Sequence, residues 1–467
     1  MKLNINKIEF WIIIFFLVRL FGITNPPLET GHNWRQVTGL MVSRNFQEVD
    51  SNILYPRVDD NHGQEGIIGM EFPVLNYLHY LTSKLVDYTH WYGRLINLIV
   101  STIGIYFYSK ILSRFFSKKL VFTSTIFLLA SIWFMFSRKF MADTFCISLV
   151  FIGLYNGIKY LEGGWIKSLM LYVLFTTLAI LSKIPAGIYF ALLFPLILSK
   201  YPLKNKVIIA ISTFVPLTLT YLWYFMWNPQ LSEKYGVWYN AGKSMSVGLQ
   251  ELITHPIFTM KNFYFNAFHS YIVFILFVIG LVLIIKNKER KIIAIFFAIG
   301  LVFSIYMMKS GFFFYHHSYY IIPFVPVMAL IAGYAVSLVK KQWLFVSLIV
   351  IGVTESLLNQ QHDFFLKDSS KYNLTLESVA DQVSDKDDLI IINGGENPLQ
   401  LYLSHRKGWT SGNDKITQIG YLNEIKQSGC KYMFIDKTKD PNFNAEPIYS
   451  DEYFSIYTLD SILKSFK

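Results

Sequence analysis

Charged residues are scarce in this sequence. Of its 467 residues only 16% are Asp, Glu, Lys or Arg, whereas 53% are apolar, and the mean hydropathy is +0.38. The length would allow two or three soluble domains, but this composition argues against them. Cysteine is rarer still, since the chain holds only Cys146 and Cys430. They form no CxxC motif, so we expect free thiols and neither a disulfide framework nor a metal cluster.

Three further signatures are missing. No GxGxxG fingerprint follows a predicted strand, so nucleotide binding is not supported. No internal repeat with a period of about 20–50 residues is visible, which argues against a repeat architecture. The first apolar run contains Arg19 and precedes no small-x-small cleavage site, so we expect a retained helix rather than a signal peptide.

Apolar runs dominate what is present. A helix that crosses a bilayer needs about 20 apolar residues, and eleven runs approach that length, several of them short. The runs are 10–23, 95–112, 120–136, 145–161, 169–181, 187–198, 207–227, 271–285, 292–308, 320–339 and 343–358. The sequence therefore predicts a polytopic α-helical membrane protein with about eleven transmembrane helices.

The basic residues account for the formal charge of +11 and are spread along the chain. Many lie before the first run and in alternate gaps, at 2–7, 110–119, 159–167, 200–206, 286–291 and 340–341. If the runs alternate across the membrane, these segments share one side, as the positive-inside rule requires. We therefore predict a multi-pass protein of the plasma or inner membrane with a cytoplasmic N-terminus. The positive charge directs topology and faces lipid, and no nucleic-acid partner is expected.

The segment 24–90 is the polar region around which the chain is organised. It is rich in acids and arginines and is too long to be a simple connector. Eleven crossings would place it on the extracytoplasmic side. Within it, 33–46 and 75–86 have the one-sided apolar spacing of helices that lie in the membrane interface. We expect it to be the active-site layer of a membrane domain that spans 1–358.

Past residue 358 the composition changes. The segments 389–392 and 432–435 are predicted to be buried strands, and 374–383, 398–404 and 416–427 are predicted to be helices. We therefore expect 359–467 to form a small α/β extracytoplasmic domain.

Three acids stand where a predicted outer loop meets a helix: Glu29, Glu71 and Asp143. Any one of them is also explained as a helix N-terminal charge, which stabilises by only about 0.3–1 kcal/mol. Their number weakens that explanation, because several acids, arginines and Lys183 are predicted at one membrane surface.

The order of four short motifs resembles that of the GT-C glycosyltransferases, in particular the family 39-like protein mannosyltransferases and aminoarabinose lipid A transferases. The resemblance covers roughly 1–358. The motifs are Glu71-Phe72-Pro73 before the second interfacial helix, Arg138 with Asp143 in the second outer loop, Lys183-Ile184-Pro185 after the fifth span, and Tyr319-Tyr320-Ile321-Ile322-Pro323 at a later helix start.

The resemblance implies transfer of a sugar from a polyprenyl phosphate to a hydroxyl of an envelope glycan, lipid or protein. The acceptor hydroxyl needs a carboxylate to take its proton, and the departing lipid phosphate needs fixed cations. The implied catalytic residues are Glu29, Asp59, Glu71 and Asp143; the donor phosphate ligands are Arg35, Arg57, Arg138 and Lys183; and the other substrate-binding residues are His32, Trp34, Tyr315 and His317.

One departure from the family pattern affects the choice of base. The family has an acidic pair at the start of the first interfacial helix, where this chain has Arg35 and Gln36. The base then shifts to Glu29, which we favour, or to Asp59 or Asp60, or the acceptor needs less help. His32 is an alternative proton acceptor, although a helix-capping histidine is the simpler interpretation.

Other classes of protein fit parts of the sequence. A glycolipid transporter or flippase would carry ionisable groups near the bilayer midplane in two related halves, whereas the spans here are nearly free of charge. An oligosaccharide polymerase or ligase with a diphosphate donor, and a non-catalytic assembly partner, stay open. The transfer chemistry requires no cofactor, and no metal site is predicted. Glu71 and Asp143 are candidates either to orient the arginines or to bind a divalent ion, and the adjacent His316 and His317 leave zinc or magnesium open.

Overall fold

The computed structural model describes residues 7–29, 31–197, 199–236, 242–366, 368–439, 441 and 443–466. The chain divides into two compact units. The apolar unit comprises Met1–Ile23, Gly93–Trp227 and Asn240–Phe364, and the polar unit comprises Thr24–Tyr92, Asn228–Tyr239 and Phe365–Lys467. The segment predicted as the outer loop therefore groups with the C-terminal residues.

The apolar unit is helical. Its α-helices are Ile8–Arg19, Tyr92–Leu112, Lys118–Ala130, Trp133–Phe136, Ala142–Gly163, Ile166–Ser182, Leu193–Ile197, Leu203–Ser212, Phe214–Tyr221, Met245–Thr254, Pro256–Lys261, Tyr271–Lys286, Arg290–Ser310, Phe312–His316, Val325–Ser337 and Gln342–Leu358. Serine side chains accept a backbone N–H at three helix starts, as N-caps do: Ser117, Ser244 and Ser270. Short 3₁₀ or π segments at Ile184–Leu192, Leu222–Trp227, Asn262–Asn266, Ser318–Ile321 and Gln361–Phe364 link or extend these helices.

Among the described residues, four helices are long and apolar enough to cross a membrane, or five if one bent pair counts as a span. They are Tyr92–Leu112, Ala142–Gly163, Leu203–Tyr235 and Arg290–Ser310, and the bent pair is Pro256–Asn266 with Tyr271–Lys286. Four shorter apolar helices accompany them. The polytopic helical fold is confirmed, while the count of eleven crossings stays a prediction. Residue 198, the end of one predicted run, lies outside the described residues.

The bend in that pair explains an acid inside a predicted span. The two helices meet at 95°, which leaves the first N–H groups of the second helix without helical partners. The Glu355 carboxylate accepts the Ser270 hydroxyl at 2.5 Å and the backbone N–H groups of Tyr271 and Ile272 at 3.1 Å each. Glu355 therefore caps a helix start within the apolar unit.

The polar unit contains both helices predicted in the 24–90 segment. We refer to Asn33–Glu48 as the first loop helix and to Val74–Val86 as the second loop helix. The second begins directly after Pro73, which occupies its N-cap position. The other helices of this unit are Asn228–Tyr235, Leu376–Ala380, Leu399–Leu403, Asn413–Ile416, Ile419–Gln427 and Leu459–Ser465, with 3₁₀ turns at Asp368–Thr375 and Lys437–Lys439.

The C-terminal part of the polar unit is built on a five-stranded sheet. Its strands are β1 (Leu389–Ile392), β2 (Lys407–Thr410), β3 (Cys430–Asp436), β4 (Tyr449–Ser450) and β5 (Phe454–Thr458), in the order β2-β1-β3-β5-β4. Strand β1 pairs in parallel with β2 and β3, whereas β5 runs antiparallel to β3 and β4. The predicted strands at 389–392 and 432–435 and the α/β class are confirmed, and β2, β4 and β5 were not predicted.

Candidate active site

The first loop helix begins at a sharp backbone turn. His32, just before it, has a φ of 61°, in the left-handed region. The Asn33 Oδ1 accepts the Trp34 backbone N–H at 2.7 Å and the Asn397 side-chain amide at 3.2 Å. The Trp34 side chain is 41% exposed. The predicted substrate-binding pair His32 and Trp34 thus stands at the helix start.

Glu29 is buried beside this helix. The Gln36 Nε2 donates a hydrogen bond to Glu29 Oε2 at 3.1 Å, and Gln36 itself is fully buried. Glu29 is only 8% exposed to solvent. A buried carboxylate needs such donors because an unpaired charge away from water is strongly disfavoured.

Arg35 holds a second carboxylate. Its Nη2 lies 2.9 Å from Glu71 Oε1, and both side chains are about 30% exposed, at 32% and 27%. Arg35 and Gln36 are consecutive, so one turn of the first loop helix contacts Glu71 and Glu29. We call these four residues the loop cluster. Arg35 and Gln36 stand where the resemblance implies an acidic pair, and in the structure they contact carboxylates from outside the helix.

Asn228, from a distant part of the chain, holds the backbone of Met70, the residue before Glu71. Its side-chain amide accepts the Met70 backbone N–H at 3.0 Å and donates to the Met70 carbonyl at 2.6 Å. The approach is close, since a Cβ on Gly69 would lie 3.0 Å from the Asn228 carbonyl oxygen. Sequence reasoning missed Asn228. Its only signal is that it is the first polar residue after the run 207–227.

Asp59 and Arg57 form ion pairs in the polar unit with residues that do not belong to the loop cluster. The Asp59 carboxylate is 2.6 Å from Arg44 Nη2 and 2.8 Å from the Asn45 Nδ2, and Asp59 is only 1% exposed. Arg57 Nη1 lies 3.0 Å from Asp50 Oδ2.

The apolar unit brings together two further predicted residues, Asp143 and Lys183. Asp143 is in the first turn of Ala142–Gly163, and Lys183 follows the last residue of Ile166–Ser182. Their Nζ–Oδ1 distance is 2.6 Å, with side chains only 11% and 7% exposed for Lys183 and Asp143. The second carboxylate oxygen, Oδ2, has no hydrogen-bond partner among the residues that the structure describes. We call Asp143 and Lys183 the buried pair.

Asn97 holds the turn that leads to Asp143. Its fully buried amide donates to the carbonyls of Phe136 at 3.1 Å, Lys139 at 2.7 Å and Met141 at 3.1 Å. An amide in an apolar helix is stabilised when its donors are satisfied in this way. Sequence reasoning missed Asn97, an amide inside the apolar run 95–112.

The remaining predicted residues of the apolar unit lie in aromatic surroundings. His317 stacks on Tyr319 at 5.2 Å, and the Lys183 Nζ lies 4.9 Å from the centre of that same ring. Tyr315 instead stacks on His255 at 4.7 Å. The Arg138 guanidinium lies 3.9 Å from the Phe364 ring centre and donates to the Phe21 carbonyl. His317 and Lys183 of the buried pair therefore contact the same ring, that of Tyr319.

Two histidines of the polar unit have shifted pKa values. Burial lowers the pKa of His79 to about 4, and its Nε2 lies 2.9 Å from the Thr89 carbonyl oxygen. The hydrogen bond with Asp60 raises the pKa of His62. Within the described ranges no three His, Cys, Asp or Glu side chains come together in a metal-binding arrangement.

Comparison with known proteins supports the predicted resemblance. Residues 71–227 match the family model described as dolichyl-phosphate-mannose-protein mannosyltransferase. That match includes Glu71, Arg138, Asp143 and Lys183. No curated protein sequence matches the chain.

Solved structures match over nearly the whole chain. ArnT from Cupriavidus metallidurans, bound to undecaprenyl phosphate, superposes with a TM-score of 0.61 at 12% identity, over 96% of this chain and 98% of that one. The Archaeoglobus fulgidus oligosaccharyltransferase, in complex with Zn and sulfate, gives 0.60 at 11% identity, over 91% and 67%. The same protein tethered to an acceptor peptide gives 0.54 at 12%, over 92% and 69%. At these identities the likeness shows the fold.

Proposed function

We propose that this chain, whose fold is that of the GT-C glycosyltransferases, is a membrane glycosyltransferase. It transfers a sugar from a polyprenyl-phosphate donor to a hydroxyl of an envelope glycan, lipid or protein. The observation that carries the proposal is the loop cluster, in which two carboxylates meet an arginine and an amide at the start of one helix. The fold alone is shared by enzymes with different donors and acceptors.

Glu29 is the proposed general base. The acceptor oxygen attacks the anomeric carbon, the bond from that carbon to the phosphate oxygen breaks, and the acceptor proton moves to the Glu29 carboxylate. The polyprenyl phosphate leaves with the bonding electrons. Gln36 donates to one oxygen of Glu29, which orients the carboxylate. Proton transfer to a positioned base contributes about 10²–10⁴-fold to a rate.

Arg35 is the proposed donor phosphate ligand of the loop cluster. A guanidinium has five N–H donors in a planar fork that fits phosphate oxygens. Glu71 engages Nη2 of Arg35 and so fixes the direction of that fork. In this proposal Glu71 orients the arginine. Trp34, the residue before Arg35, is exposed, and its ring offers a surface on which a sugar can stack.

Asp143, Lys183, Arg138 and Arg57 stay proposed site residues, and their partners suggest separate roles. The Lys183 ammonium is desolvated and paired with Asp143, so a phosphate that bound it would compete with that carboxylate at low dielectric. Arg57 is held by Asp50. The proposed topology, with a cytoplasmic N-terminus and an extracytoplasmic C-terminal domain, follows from the positive-inside pattern. Among the predicted substrate-binding residues, His317 shares a ring contact with Lys183.

The test is an incubation of purified protein in detergent with a panel of radiolabelled polyprenyl-phosphate sugars. Hydrolysis or transfer from one of them supports the proposal and identifies the donor. The panel includes polyprenyl-diphosphate oligosaccharides, and parallel proteoliposomes measure flipping of each lipid. Turnover of a diphosphate donor alone, or flipping without bond cleavage, overturns it. A repeat with EDTA reports whether a divalent ion takes part.

A further inference from the structure

The carboxylate of Asp59 is fully engaged inside the polar unit. Oδ2 accepts from Arg44 Nη2 at 2.6 Å, and Oδ1 accepts from the Asn45 amide at 2.8 Å. Asp59 is 1% exposed and Arg44 is 6% exposed. A general base must present an oxygen to the acceptor hydroxyl, and neither oxygen of Asp59 is presented in this way.

Arg44 also contacts the C-terminal part of the polar unit. Arg44 Nη1 donates to the Tyr402 carbonyl at 3.2 Å, and its guanidinium lies 4.5 Å from the Tyr402 ring centre. The Tyr402 hydroxyl is 2.9 Å from that of Tyr88, in the segment that follows the second loop helix. The first loop helix is thus joined through Arg44 to the helix Leu399–Leu403.

The backbone of Asp59 pairs with the edge strand β2. Its carbonyl accepts the Gly408 N–H at 3.0 Å, and the Gly408 carbonyl accepts the His62 N–H at 3.0 Å. Residue 408 must be glycine, since its φ is 140° and a Cβ would lie 2.0 Å from the Ile390 carbonyl oxygen. The loop 59–62 therefore covers an edge that would otherwise expose unpaired backbone groups.

We propose that Asp59 and Arg44 are positioning residues that lock the first loop helix onto the C-terminal sheet. Arg44 stands eight positions after Gln36 on this helix, about 12 Å along its axis. A second contact, the hydrogen bond from the Asn397 amide to Asn33 at 3.2 Å, also holds the start of this helix against the C-terminal residues. Held at both ends, the helix keeps Arg35 and Gln36 in place against Glu71 and Glu29. The catalytic consequence rests on the proposed function, whereas the mechanical one does not.

The experiment compares Asp59→Asn, Arg44→Lys and the double variant Asp59→Leu/Arg44→Met in the full-length protein. Two readouts are taken: amide hydrogen exchange of peptides covering the first loop helix, and kcat and KM for sugar transfer as a function of pH. Asp368→Asn is the matched control, because this aspartate of the polar unit has a 91% exposed side chain paired only with Lys371 in the described structure.

We expect each single variant to speed exchange in the helix and to lower kcat about 10–100-fold, because small misplacements of catalytic groups cost that much. The KM for the donor should change by less than about threefold, and the pH profile of kcat should not shift. The double variant should regain exchange protection and most of kcat, since a matched apolar pair replaces a buried ion pair well. A lost base cannot be restored in this way.

Loss of transfer in Asp59→Asn with unchanged exchange would make Asp59 a base and overturn the proposal. Unchanged exchange and unchanged kcat in both single variants would overturn it as well. If the wild-type protein transfers no sugar at all, the proposed function fails, and the exchange readout alone decides. Faster exchange in the single variants, reversed in the double variant, still supports the lock.

Discussion

The loop cluster and the buried pair both place an acid near a helix start and both match it with a cation, but water reaches them differently. The side chains of Arg35 and Glu71 are 32% and 27% exposed, whereas those of Lys183 and Asp143 are 11% and 7% exposed. A partly solvated ion pair contributes little to stability, so replacing either residue should change the free energy of unfolding only slightly. A desolvated pair is different, because each member needs the other.

The largest effect should come from the loop cluster and should fall on activity. Glu29→Gln keeps the size of the side chain and a hydrogen-bond acceptor for Gln36 but removes the base. We expect transfer to fall about 10²–10⁴-fold, with little change in thermal unfolding. The assay is transfer of labelled sugar from the donor that the panel identifies. Glu424→Gln, an exposed glutamate in Ile419–Gln427, is the control, and equal activity of the two variants would contradict the role of Glu29.

Substitutions in the buried pair should lower the stability of the protein. We expect Lys183→Met alone, or Asp143→Leu alone, to lower the free energy of unfolding by about 3–5 kcal/mol, because each leaves a charge uncompensated. The double variant should cost less than either single change. Denaturant unfolding in detergent micelles measures all three. Additive costs would show that the two side chains are not coupled and would remove the contrast with the loop cluster.

Acid should weaken the polar unit through His79. An unfolded histidine titrates near pH 6.5, whereas burial lowers the pKa of folded His79 to about 4. The stability contributed by the neutral ring is therefore complete above about pH 6.5 and is lost as the pH falls toward 4, because the unfolded chain binds the proton first. From pH 7.5 to pH 5 we expect a loss of about 2 kcal/mol.

The measurement is the pH dependence of unfolding for wild type and His79→Gln, which keeps an N–H donor for the Thr89 carbonyl. The variant should lack this part of the acid sensitivity. His255→Gln is the control, since His255 is an exposed histidine of the apolar unit. Identical slopes for His79→Gln and wild type would contradict the assignment.

The smallest effect should come from Arg35. We expect Arg35→Gln to raise the KM for the donor about tenfold through loss of a charged phosphate ligand. Arg35→Lys, which keeps the charge but not the fork, should fall between that variant and wild type. Stability should change by less than about 1 kcal/mol, as for other solvated ion pairs. A large loss of stability would show that Arg35 is as important for folding as the buried pair, and the two regions would then not differ in this respect.

In both regions the sequence predicted site residues but not which of them pair. Glu71, Asp143 and Lys183 were predicted as site residues because each stands where a polar segment meets an apolar helix. Their partners were predicted less well. The contact between Arg35 and Glu71 spans 36 residues of chain, and that between Lys183 and Asp143 spans 40. No local pattern encodes which oxygen a guanidinium or ammonium reaches.

The sequence by itself determined the helical membrane fold, the two loop helices, the strands β1 and β3 and the α/β class of the C-terminal residues. These follow from periodicity and apolar run length, which are local properties of the chain. Only the tertiary structure decided that Asn228 holds Met70, that Asn97 gathers the turn before Asp143, and that Gly408 pairs with 59–62. Such contacts join residues far apart in sequence, and their partners are selected by the shape of the folded chain. Strand β2 was missed for that reason: its sequence Lys407-Gly408-Trp409-Thr410 shows no strand periodicity, and it forms because β1 on one side and the loop 59–62 on the other satisfy its backbone.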